Sequence, residues 1–108
     1  MQSAAVADRI FQALADPSRR ALFESLTRGE AAVKDLTARF DISQPAVSQH
    51  LATLRSAGLV SERRAGRLVY YRVEPKGLRP LIDWIAHYQA FWLERLDHLQ
   101  ALLKEMDE

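Results

Sequence analysis

The sequence predicts a mainly α-helical fold that carries one β-hairpin, and three observations predict it. In residues 43–59, Val47, Leu51 and Leu54 recur at i, i+4 and i+7 behind a serine suited to capping and ahead of Gly58, the usual residue just past a helix end. Residues 59–64 and 68–73 are β-branched and aromatic runs separated by Ala65-Gly66-Arg67, the wording of a hairpin. Residues 78–106 repeat apolar side chains every seven positions, at Ile85, Trp92, Leu99 and Met106.

The chain has 108 residues, enough for one domain spanning residues 1–108. It is 48% hydrophobic and 27% charged, a composition that suits a modest buried core. It has no cysteine, which excludes disulfides, cysteine metal sites and thiol sensing. No apolar run approaches a membrane span and no signal-peptide pattern opens the chain, so the expected location is the cytoplasm, with no membrane partner. The net charge of +1 is unevenly spread: residues 55–76 hold 6 Lys or Arg against 2 Asp or Glu, whereas residues 78–108 hold 3 against 6. That asymmetry points to nucleic acid bound by the middle of the chain.

In order along the chain, residues 4–14 read as a first helix, with Val6, Ile10, Ala13 and Leu14 on one stripe. Asp16-Pro17 is a helix start, an N-cap followed by a proline whose missing N–H costs nothing there. The second helix runs to about residue 27, with Ala21, Leu22, Ser25 and Leu26 facing inward and Gly29 ending it. Arg19 and Arg20 lie in its first turn, where the helix dipole disfavours cations, so each calls for a carboxylate or phosphate partner. Residues 32–40 form a short third helix with Val33, Leu36 and Phe40 inward, and a tight link leads to the helix that begins at Ser43. Helix, turn of about three residues and helix is helix-turn-helix spacing, here over about residues 32–57.

The second member of that pair carries Pro45, Gln49, Ala52 and Ser56 on its outer face, flanked by Ser48 and Thr53, with no carboxylate among them. Such a face enters a major groove without repelling phosphate. The hairpin that follows, about residues 59–73, is a wing. Arg63, Arg64 and Arg67 lie at its turn and Arg72 on the return strand, placed to reach backbone phosphate or the minor groove. The last segment, about residues 78–106, reads as one long helix, or two joined near Arg79-Pro80. Tyr88, Leu96 and Leu103 fill the alternate seam positions, which calls for a homodimer. The four aromatics Trp84, Tyr88, Phe91 and Trp92 serve dimer packing more economically than a pocket for a small organic effector.

The segments 14–20, 42–51, 54–60 and 63–72 together resemble the ArsR/SmtB family of winged helix-turn-helix repressors, and the resemblance covers nearly the whole chain. It implies four helices, a two-stranded wing and a last helix, a homodimer built from the first and last helices, and repression by occupying an inverted-repeat operator in double-stranded DNA. It marks Ser43, Gln44, Pro45, Ser48 and Gln49 as groove contacts. Val6 and Ile10 join Ile85, Tyr88, Trp92, Leu96, Leu99 and Leu103 as the expected dimer surface. His50 falls in the same motif, but the helical wheel puts it beside the core stripe, in a packing or internally bonded role.

The sequence departs from the family's metal sensors. Residues 29–36 lack the Cys-x-Cys of one metal site. His87 and His98 match the spacing of another, but its two remaining positions are Ile85 and Ala101, which cannot ligate. Asp83 and Glu94 each lie one turn before a histidine, so Asp83, His87, Glu94 and His98 are the only candidates for a rearranged site; the expectation is no metal and no cofactor. No nucleophile–histidine set, glycine-rich phosphate loop or carboxylate pair points to an enzyme. The competing readings are a winged-helix protein-interaction module without DNA binding, and a metal-responsive repressor.

Overall fold

The structure, a computed structural model of the chain, describes residues 2–107, with side chains from residue 5. Its elements are α1 (Gln2–Ala15), α2 (Pro17–Leu26), β1 (Ala31–Ala32), α3 (Val33–Arg39), α4 (Gln44–Ser56), β2 (Val60–Ala65), β3 (Leu68–Val73), a 3-10 turn (Pro75–Leu78), α5 (Arg79–His87) and α6 (Gln89–Asp107). This is a winged helix-turn-helix: helices around one core, with an antiparallel hairpin at its edge.

Local chemistry sets most boundaries. The Asp16 carboxylate accepts from the Ser18 and Arg19 amides at 2.8 and 3.1 Å, which starts α2. Ser43 Oγ accepts from the Ala46 amide at 3.3 Å, which starts α4. At the other end of α4, the Gly58 amide donates to Arg55 and the Leu59 amide to Leu54, at 2.9 and 3.0 Å. This double bond is the Schellman cap, and it needs Gly58 at φ +79. The buried Leu54 and Leu59 join the core on either side of it.

The core gathers Ile10, Leu22, Leu36, Val47, Leu51, Leu54 and Leu59, all fully buried, with Phe23, Leu26, Val60 and Tyr71 around them. On α2 the inward residues are Leu22, Phe23 and Leu26, while Ala21 and Ser25 are only half-buried. The bulkier ring of Phe23 wins the core face over two small side chains.

Four further expectations are corrected. A third strand, β1, pairs with β3 through Ala31↔Tyr71 and Ala32↔Tyr70, giving sheet order β1-β3-β2. Two alanines carry no strand pattern; their small side chains, both buried, let the backbone lie against the central strand. Among the described residues, Arg19 and Arg20 form no ion pair with a carboxylate. They donate to the carbonyls of Gln12, Ala13, Leu14 and Ala15 at 2.7–3.2 Å, satisfying the free carbonyls and negative dipole end of α1. Ile10 is fully buried inside its own chain, because the α1 stripe centres on Ala7, Ile10 and Ala13; it is therefore no part of a dimer surface.

The fourth correction concerns the C-terminal segment. Pro80 does not join two helices; it lies in the first turn of α5, where a missing amide is harmless. The break falls at Tyr88, whose amide reaches back only three residues to Ile85 at 3.1 Å and so shifts the helical phase. Ile85 and Trp92 thus belong to different helices. Trp84 of α5 meets Phe11 of α1 edge-on at 5.4 Å between ring centres, seating α5 on the body. α6 then leaves it, and none of its residues is buried. The molecule extends 64 Å with a radius of gyration of 18.4 Å, against about 13 Å for a compact chain of this length.

Candidate nucleic-acid interface

The outer face of α4 is set by what its inner face buries. With Val47, Leu51 and Leu54 in the core, Gln44, Pro45, Ser48, Gln49, Ala52 and Ser56 are exposed, as is Ser43 at the cap. Thr53 is half-buried and its hydroxyl donates to the Gln49 carbonyl at 3.2 Å. His50 is half-buried on the flank near Asp16, whose carboxyl is held low chiefly by the hydrogen bond from the Arg19 amide, then by that from Ser18, with His50 contributing least.

A cleft of about 300 Å3 separates this face from the wing, lined by Lys34, Gln44, Ser48, Glu62, Arg67 and Tyr71 among others. Lys34, in the first turn of α3, adds a cation to this cleft; in the sequence only its place at the start of the helix-turn-helix pair marks it.

The hairpin register decides which wing arginines are available. Arg63 stands opposite Tyr70 in the ladder, and its guanidinium lies 4.8 Å from that ring centre. It also forms an ion pair with Glu30, whose carboxyl is held below its usual range chiefly by that hydrogen bond. Arg72 donates to Ser61 at 3.3 Å and lies 3.7 Å from Glu74. Arg64 and Arg67 are exposed and, among the described residues, take part in no ion pair. Glu62 bridges Arg55 of α4, at 2.8 Å, and the hydroxyl of Tyr71, at 3.1 Å. Burial, then this carboxylate, pushes the Tyr71 phenol up.

The expected dimer residues other than Ile10 are exposed: Val6 on α1, Ile85 on α5, Tyr88 at the break, and Trp92, Leu96, Leu99 and Leu103 on α6. Around the metal candidates, Asp83 pairs with Arg79 at 3.0 Å and His87 meets the edge of Tyr88. Glu94 and His98 lie beyond the break. Among the described residues no three His, Cys, Asp or Glu side chains converge on a point that could hold a metal, and no helix is long and apolar enough to cross a membrane.

Residues 16–62, from the α2 cap to Glu62, match the family model "Bacterial regulatory protein, arsR family". The chain is 49% identical over 96 residues to the HTH-type transcriptional regulator Rv2034 of Mycobacterium tuberculosis, covering 89% of this chain and 87% of that one. It is 32% identical to the transcriptional repressor SdpR of Bacillus subtilis, covering 75% and 90%. Its fold is similar to an ArsR-like transcriptional regulator from Rhodococcus sp. RHA1, with a TM-score of 0.77 at 26% identity over 94% of this chain and 96% of that one. With helix-turn-helix, wing and sequence in agreement, the chain belongs to the ArsR family and is a DNA-binding transcriptional regulator, not an enzyme.

Proposed function

We propose that the protein is a cytoplasmic, homodimeric repressor that occupies an inverted-repeat operator, with an effector that is not a metal. The observation that carries this is the contrast between the acid-free outer face of α4 and the charged wing beside it. Ser43, Gln44, Pro45, Ser48, Gln49 and Thr53 would meet base edges and the groove wall, and Arg64 and Arg67 would grip flanking phosphates. Arg63 is the weakest of the three wing contacts, because Glu30 already neutralises much of its charge. The dimer is supported by α6, whose Trp92, Leu96, Leu99 and Leu103 are each about half exposed. A helix so apolar and so far from its own core calls for a second copy to cover it. Two copies would place their reading helices on half-sites about one helical turn apart, roughly 34–36 Å.

The test is selection of bound genomic fragments followed by sedimentation of protein, DNA and complex. Two protomers on a fragment bearing an inverted repeat, with affinity unchanged by EDTA, zinc, nickel or cobalt, is the expected result. A protein that binds no DNA is a protein-interaction module. A tenfold response to one metal, abolished by His87→Ala or His98→Ala, would overturn the metal-free reading.

A further inference from the structure

We propose that Glu62 is a positioning residue for DNA recognition: its carboxylate braces the wing against the reading helix and so sets the distance between base contacts and phosphate contacts. The proposal rests on the DNA-binding reading above. The geometry is a three-point strut. One carboxylate oxygen of Glu62 takes the Arg55 guanidinium at 2.8 Å from the last turn of α4, and the other takes the Tyr71 hydroxyl at 3.1 Å from β3. Glu62 and Tyr71 are direct cross-strand partners, so they share the face of the hairpin that meets α4.

Leu59 and Val60 are buried and β3 is tied to β1, which fixes the root of the wing in the core. Beyond Val60 the hairpin runs roughly 17 Å to its turn, and a flex of about 10° there moves Arg67 by about 3 Å, a whole hydrogen-bond length. Glu62 lies two residues beyond the root and opposes that flex. Its presence is otherwise hard to account for. It lines the cleft with Gln44, Ser48 and Arg67, where an acid repels the DNA backbone. A negative charge kept in that place serves better as a brace than as a contact.

The experiment compares binding to a selected operator and to random duplex of equal length, for wild type, Glu62→Gln, Tyr71→Phe and the charge swap Arg55→Glu with Glu62→Arg. Both partners are substantially exposed, so losing the pair should move the thermal midpoint by no more than about 4 °C. Glu62→Gln should nevertheless lower the operator-to-random ratio about fivefold or more, as much as a mismatched base pair costs. Tyr71→Phe, which changes no charge, should lower the ratio in the same direction, and the swap should recover it. If Glu62→Gln instead tightens both DNAs equally and keeps the ratio, Glu62 is only an acid near phosphate and the brace is overturned. A wild type with no operator preference would overturn the DNA reading itself, and the brace with it.

Discussion

The Nε of Arg19 donates to the carbonyl of Ala13 at 2.7 Å, so the first turn of α2 caps the last turn of α1. A cation that opposes its own helix dipole is placed at the negative end of its neighbour's. Arg19 is therefore part of the scaffold that fastens α2 to α1.

Arg19→Ala should lower stability by about 1–2 kcal/mol, the worth of a charge-assisted hydrogen bond and its dipole interaction. Urea unfolding measures this. The salt dependence of DNA binding should stay unchanged; a flatter slope would make Arg19 a phosphate ligand.

Ile10 and Trp92 should fail in different ways. Ile10→Ala empties a fully buried site and should cost about 2–5 kcal/mol at every protein concentration. Trp92 is half exposed in the single chain, so Trp92→Ala should weaken the dimer, which then dissociates at a higher protein concentration than the wild type and loses most stability on dilution. Sedimentation with thermal melts across a hundredfold dilution separates them. A Trp92→Ala protein that remains a tight dimer would remove α6 from the interface.

The wing arginines are ranked by their partners. Arg64→Ala and Arg67→Ala should each flatten the log–log salt dependence of DNA binding by about 0.9, and Arg63→Ala by less. Equal effects for all three would mean that Glu30 releases Arg63 when DNA arrives.

On the proposed DNA reading, Gln49 meets a base edge and has no part in the core. Its amide can donate and accept together, as an adenine edge requires, so Gln49→Ala should cost about 1–3 kcal/mol on the operator and much less on random DNA. Equal losses on both would deny α4 the reading role. The fold should be untouched, because Gln49 points away from Val47, Leu51 and Leu54.

Two carboxyls tie stability to acid pH. Asp16 is held low by the amides of Arg19 and Ser18, and Glu30 by Arg63. A carboxyl whose folded pKa lies below its unfolded value contributes stability above the unfolded value and loses it as pH falls through the folded one. Asp16→Asn and Glu30→Gln should therefore each be less stable than wild type near neutrality. Their unfolding curves should converge with that of the wild type as the pH drops below the ordinary carboxylate range. A gap that persists at the acid end would show that neither carboxyl acts through its charge.

Within four residues of most positions, the sequence alone determined what forms, although on α2 it turned Ala21 and Ser25 inward where the structure buries Phe23. Asp16 and Ser43 start helices, Gly58 stops one, and Val47, Leu51 and Leu54 turn one face of α4 inward and leave the other exposed. These are contacts between near neighbours along the chain, and residue type and spacing specify them. The tertiary structure decided what depends on distant neighbours. The pairing of Ala31 and Ala32 with β3 and the claim of Glu30 on Arg63 from 33 residues away leave no periodic trace, and the apolar stripe that carries Ile10 does not say whether its own core or a partner covers it. The break at Tyr88 belongs with them, since α5 follows the body through Trp84 and Phe11 while α6 has nothing of its own chain to follow. A seven-residue repeat records which residues are apolar, but only the packing of α5 on α1 ends one helix and begins another within it.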